Sequence, residues 1–162
     1  MIEPLRLSFT VACPAAHAFN TWTAKASSWW PPEHTGSGMP GSLIVFEPRV
    51  GGRVFERTAD GKELEWGEVT VWEPPRRLCY RWHIRTDRRD ATDVEILFLE
   101  LGRDATRVEI EHRGWERLGA RGAVWRDANH NGWQGVLPAY QAACAAGDPT
   151  SDVTPSTSAR ST

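Results

Sequence analysis

His112 closes an alternating run in which Val108, Ile110 and His112 share one face, and Arg107, Glu109, Glu111 and Arg113 the other. A period of two marks a strand with one buried face. An imidazole carried to that face can orient a ligand carbonyl or take a proton, because its pKa is readily tuned. The same position equally suits a core histidine satisfied by a backbone carbonyl or a carboxylate. Glu56 shares a face with Val54, and a buried carboxylate needs a partner: His112, an arginine or a ligand. Phe55 on the opposite face leaves the inward side of this strand open, and a bulge after Gly51-Gly52 would switch it. A structural ion pair is the expected role of Glu56.

Trp29, Trp30 and His34 flank a Gly-rich stretch, 33–42. Loops carry binding function more often than cores do, so these residues read either as the aromatic underside of a lid or as a plug at one end of a sheet. Of Trp66, Tyr80, Trp82, Trp133 and Tyr140, about two are expected to meet a ligand, with the others filling the core. The Tyr140 hydroxyl needs a partner if buried. The expected ligand-binding set is therefore Trp30, His34, Glu56, Trp66, Tyr80, Trp82, His112, Trp133 and Tyr140, with His112 the catalytic candidate.

Other chemistries find little footing. His17, His34, His83, His112 and His130 are scattered, and neither CxxC nor HExxH spacing occurs, so neither metal nor cofactor is expected. There is no GxSxG, and Cys13, Cys79 and Cys144 lack a local activating context. The paired glycines precede a strand rather than a helix, which removes a phosphate cradle. The charge runs 85–90 and 107–113 alternate in sign and read as solvated faces. With a formal net charge of -2, no basic surplus drives nucleic-acid or anionic-membrane binding. Glu3 and Pro4 stand where a signal peptide would be basic and then apolar. No window is apolar for long enough to span a bilayer. Three cysteines without a close pair argue against a disulfide framework and for a reducing cytoplasm.

The elements that must position these residues follow from periodicity and punctuation. Leu5, Leu7, Phe9 and Val11 alternate as a first strand. Pro14 opens a short helix, Ala15–Trp22, and a second, 23–30, stops at Pro31-Pro32. A strand at 43–47 leads into three strand-like segments within 51–82. Asp60-Gly61 separates the first two as a hairpin, and Pro74-Pro75 the second and third. In the third, Leu78, Tyr80, Trp82 and Ile84 face one way, and Arg77, Arg81, His83 and Arg85 the other. A charged turn, 85–92, a strand through Val94, Ile96 and Phe98, and the strand 107–113 complete the set. From 120 to about 146 the period becomes helical, with Trp125, Ala128, Gly132, Val136, Tyr140 and Cys144 on one stripe and Pro138 a source of a kink. Residues 1–146 read as one domain, and the Ser/Thr/Pro-rich tail 147–162 as disordered. The fold class is α+β: a curved antiparallel sheet of about six or seven strands around a long C-terminal helix, with two short helices after the first strand.

This order, with Trp29-Trp30-Pro31, Phe46-Glu47-Pro48, Gly51-Gly52-Arg53, Trp66-Gly67, Trp72-Glu73-Pro74-Pro75, Glu111-His112, Gly114-Trp115 and Gly132-Trp133, resembles the START-like or SRPBCC helix-grip superfamily. Within it the chain is most similar to the branch of the activator of heat-shock-protein-90 ATPase. The resemblance runs from Leu5 to about Cys144. It implies a deep hydrophobic cavity in a superfamily whose members bind lipids, sterols or polyketides, cyclise polyketides, or sequester reactive metabolites. The eukaryotic activator has a separate chaperone-binding domain, and 162 residues are not expected to hold both.

The function expected is that of a cofactor-free binding protein for a small hydrophobic or aromatic molecule. The alternative is a cyclase or hydrolase acting in the same cavity, with His112 as base and Tyr140 or Arg53 at an oxyanion. A chaperone co-factor is the third reading. Neither nucleic acid nor membrane is an expected partner, and a homodimer stays open.

Overall fold

The computed structural model describes residues 1–147; from 148 on, the tail expected to be disordered lies outside the described residues. The strands are β1 (Leu5–Val11), β2 (Leu43–Phe46), β3 (Arg53–Arg57), β4 (Glu63–Glu73), β5 (Arg77–Trp82), β6 (Thr92–Gly102) and β7 (Ala105–Arg113). The helices are α1 (Ala15–Trp22), α2 (Ala26–Trp29) and α3 (Gly122–Ala146). The strands form one antiparallel sheet in the order β1-β7-β6-β5-β4-β3-β2. Each strand from β2 to β7 lies beside the next in sequence, and β1 closes onto β7. This is the helix-grip architecture read from the sequence.

Alternation places the core where the sequence pattern does. Val94, Ile96 and Phe98 on β6 and Val108, Ile110 and His112 on β7 are all buried. They share the inner face with Leu78, Tyr80 and Trp82 of β5. Tyr140, Val136, Leu137 and Cys144 of α3 join the same core. Each fully buried large apolar side chain contributes about 1.5–3 kcal/mol. The Tyr140 hydroxyl bolts α3 to α1, donating to the Ala18 carbonyl at 2.8 Å. Tyr140 is fully buried.

Some boundaries shift for local reasons. The second short helix is only Ala26–Trp29. The Thr23 hydroxyl folds back on the Phe19 carbonyl at 2.9 Å, at the end of α1. The chain turns through a 3-10 helix, Pro32–His34, after the paired prolines. At the far end, α3 starts at Gly122 because 115–121 forms 3-10 turns first, entered through Gly114 at φ 96°.

The inward side of β3 is settled by a bulge on its partner. Val54 pairs with Gly67 but Phe55 with Glu65, so Trp66 is the extra residue. Both Trp66 and Gly67 thus reach the inner side. A Cβ on Gly67 would lie 1.8 Å from the Arg81 carbonyl oxygen, so only glycine fits there. Glu56 turns inward with Val54, while Phe55 is buried on the outer face beneath the guanidinium of Arg53, 4.2 Å from its ring centre. The bulge expected after Gly51-Gly52 therefore lies on β4 instead.

Candidate functional site: an aromatic cavity beneath a polar strap

One end of the sheet opens into a cavity of about 400 Å³. Its walls come from four places: Trp30, Glu33 and His34 after α2; Trp82 to Thr86 with Asp90 and Thr92 around the β5–β6 turn; Trp115 and Leu118; and Trp125, Ala128, Asn129, Asn131, Gly132, Trp133 and Val136 of α3. The N-terminal half of the apolar stripe on α3 therefore faces the cavity, while its C-terminal half enters the core. Gly132 has nothing within 4 Å of where a Cβ would stand.

Of the expected ligand-binding residues, Trp30, His34, Trp82 and Trp133 come together on this wall. Glu56, Trp66, Tyr80, His112 and Tyr140 are buried behind it. Arg53, assigned to the oxyanion in the enzymatic alternative, lies on the outer face with Glu47 and Glu63.

His112 sits one layer beneath the cavity. Trp133 Nε1 donates to its Nδ1 at 3.1 Å, so Nε2 carries the proton and meets Thr92 Oγ1 at 2.7 Å. The Thr92 hydroxyl in turn donates to the Trp82 carbonyl at 3.3 Å. Both ring nitrogens are used, and burial pushes the pKa down to about 3. The ring is therefore neutral at ordinary pH and ties β7 to β6 and α3.

Glu56 meets neither His112 nor an arginine in the role expected of it. Its carboxylate accepts the Ser37 hydroxyl, the Ser37 N–H at 3.1 Å and the Ser42 hydroxyl at 2.6 Å. Burial opposes its charge, but hydrogen bonds from Ser37, Ser42 and the Gly36 amide outweigh that and hold the carboxyl below its usual range. Glu56 is thus a hub for a strap, residues 31–42, that crosses this end of the sheet.

A second fastening comes from Arg85. Its guanidinium donates to the carbonyl oxygens of Thr35 and Glu33, the latter at 3.2 Å. Arg85 holds the left-handed conformation at φ 60°, a costly state for a non-glycine residue. His34 seats against α3 where Gly135 leaves room, since a Cβ there would stand 2.2 Å from its Nε2. Trp30 lies under the strap, its N–H donating to the His34 carbonyl at 3.1 Å.

His83, Arg85, Asp90, Trp115, Trp125 and Asn129 escaped the sequence reading of the site. Strand alternation sends His83 outward, but β5 ends at Trp82, and the chain turns before the alternation can place it. His83 is buried, lines the cavity, and has Nε2 3.4 Å from a Glu65 carboxylate oxygen. Arg85 and Asp90 belonged to a run read as a solvated face; they border the cavity instead. Trp125 stood on the helical stripe without being assigned to the site.

The thiols are not poised for nucleophilic work. Burial pushes Cys13 up to about 12 and Cys79 up to about 11. No His/Cys/Asp/Glu group among the described residues could hold a metal ion. Among those residues, too, no helix is long and apolar enough to cross a membrane.

An antiparallel sheet gripping a long C-terminal helix, with an aromatic cavity at one end, defines a START-like helix-grip protein of the SRPBCC superfamily. Residues 12–142 match the family model described as Activator of Hsp90 ATPase homolog 1-like protein, and the chain belongs to that family. No match is found among curated proteins. Among solved structures it is similar to Txn09, an anthrahydroquino-γ-pyrone synthase, with 31% identity, 88% of this chain and 97% of that one covered, and a TM-score of 0.63. CalC from Micromonospora echinospora, a self-sacrificing resistance protein, is 28% identical over 86% of this chain and 92% of its own, with a TM-score of 0.68. An HSP90 activator from Plasmodium falciparum shares the fold at 20% identity, over 85% of this chain and 91% of its own, with a TM-score of 0.61.

Proposed function

We propose that the chain binds a small hydrophobic, aromatic molecule in the cavity between α3, the β5–β6 turn and the strap. The observation that carries this reading is the wall itself. Five indoles, Trp30, Trp82, Trp115, Trp125 and Trp133, border a space of about 400 Å³, with His83, Arg85, Asp90 and Asn129 grouped among them. An apolar pocket with a few convergent polar groups is the usual form of a small-molecule site. Micromolar binding needs about 8 kcal/mol net, so with at least about 4 kcal/mol of entropy loss it requires burial of about 500 Å² of apolar area at about 25 cal/mol per Å². The likeness to Txn09, an anthrahydroquino-γ-pyrone synthase, supports an oxygenated polycyclic compound as the ligand class. The buried free thiols suit a reducing, cytoplasmic setting.

Gly132→Leu tests this. The leucine would project into the open cavity, and replacing a mid-helix glycine favours the helix by about 1 kcal/mol. The variant is expected to fold at least as stably as the parent and to lose ligand. Native mass spectrometry of protein from its own host, beside tryptophan quenching by a hydrophobic panel, reads the outcome. Equal retention and quenching in parent and Gly132→Leu would place binding elsewhere.

A second reading, a cyclase-type enzyme, is favoured by His83. It is the cavity-lining imidazole with a carboxylate, Glu65, at its Nε2, the base-and-orienter pairing of acid–base catalysis. Under this reading the recovered compound is converted on incubation, and His83→Gln slows conversion at least about 100-fold. A compound left unchanged by the parent protein removes it.

A further inference from the structure

We infer that Trp30 is a displaceable plug, holding the place that a ring of the ligand takes when the strap swings away. This rests on the ligand-binding reading above. Trp30 packs against two other indoles, with ring centres 5.3 Å from Trp66 and 6.1 Å from Trp82. It borders the cavity on one side. The Trp66 indole packed against it carries a polar atom without a partner among the described residues. Trp66 Nε1 finds no hydrogen bond there, and its residue is only 1% exposed. The Trp22 N–H and the Tyr80 hydroxyl, by contrast, interact with each other. Buried polar groups in folded proteins are nearly always satisfied, so the bare Trp66 N–H marks a place that another molecule completes.

The strap covers this place. A Cβ on Gly36 would stand 3.1 Å from both Trp66 Nε1 and Glu56 Oε1. The strap is held by polar fastenings, Glu56 and Arg85, while Gly38 and Gly41 at φ 68° and 82° give it bends at its far end. Trp30 leaves α2 directly into Pro31-Pro32, so its ring and the strap move together. Once displaced, the indole leaves a slot of its own thickness beside Trp66 and Trp82. The Trp66 N–H then has room for an acceptor in that slot. The matching ligand is a flat, fused aromatic carrying a carbonyl or hydroxyl oxygen on its inner edge. Entry along this route joins the outer cavity to the interior and makes Trp66 a direct contact.

The probe is 1,4-dihydroxyanthraquinone, titrated by tryptophan quenching against parent, Trp30→Ala, and Trp30→Ala combined with Trp66→Phe. Removing the plug is expected to tighten binding at least tenfold, and the second substitution to reverse most of that gain. Parent binding with no gain in Trp30→Ala would overturn the plug and leave the outer cavity as the site. A gain that survives Trp66→Phe would overturn the polar slot and leave that atom to buried water. No binding by any variant would sink the ligand-binding reading and this one together. If Trp30→Ala does not fold, fluorine NMR of 5-fluorotryptophan-labelled parent protein decides. Ligand saturation should then shift the Trp30 and Trp66 signals, whereas shifts confined to Trp115, Trp125 and Trp133 would refute the plug.

Discussion

At the level of single side chains, His112 shows how a functional candidate becomes a structural one without leaving its place. Alternation put it inside, and it is inside; what alternation cannot encode is the partner. Trp133 stands on a helix docked across the sheet, and its N–H reaches the imidazole only because of that docking angle. His112→Ala would strand the Trp133 N–H and the Thr92 hydroxyl, at a cost of about 3 kcal/mol, read as a lower urea midpoint at unchanged m-value. The pH dependence has a definite sign. In the folded chain the pKa is about 3, against 6.5 as the ordinary value. Between these values the unfolded chain binds a proton that the folded chain refuses. The stabilisation is therefore full above about pH 6.5 and drains away as pH falls toward 3, by up to about 1.4 kcal/mol per unit. That slope should shrink in His112→Gln, and an unchanged slope would assign it to another group.

Among the elements, strands and the long helix were legible because their hydrophobic periods are strong. The strap was legible only as a loop, since its conformation depends on two side chains that arrive from β3 and the β5–β6 turn. Glu56 faced two ways on paper because the deciding residue, the bulged Trp66, lies on the neighbouring strand. Glu56→Gln keeps the shape but replaces a charged acceptor with an amide carrying two donors toward two serine hydroxyls. Amides of 36–42 are expected to exchange with deuterium at least about tenfold faster, equivalent to about 1.4 kcal/mol, while those of β6 and β7 hold. Because the folded Glu56 pKa is depressed, its contribution is present above the unfolded value and lost as pH falls through the folded one. The strap should therefore loosen only in acid, from about pH 4.5 downward, in the lower part of the window in which His112 acts. Equal exchange in parent and variant would show that Arg85 alone holds it.

Across the molecule, the outer face of the sheet carries paired charges while the inner face carries none of that kind. Arg77 meets Glu95 at 2.8 Å, Glu95 meets Arg113 at 3.8 Å, and Glu111 joins Arg113 to Arg6. Such half-exposed pairs contribute little and are screened by salt. Raising salt from 0.05 to about 0.5 M is thus expected to change unfolding free energy by less than about 1 kcal/mol. A larger loss would mean that this ladder, and not the aromatic interior, carries the fold. The family relation explains why the architecture was readable: it depends on where strands and turns fall. The ligand was not readable, because the cavity is assembled from four separate segments whose contact is a property of the folded chain.

The indoles also form a path for light. Trp133, Trp22, Trp29, Trp30, Trp66 and Trp82 lie within about 5–6.5 Å of one another in succession, from one wall of the cavity through the core and back to another. At such separations excitation passes between rings faster than it is emitted. A chromophore seated beside one wall residue would therefore drain the emission of indoles it never touches. The chain is, in effect, an antenna focused on its own cavity, and its glow measures occupancy more steeply than contact alone would allow.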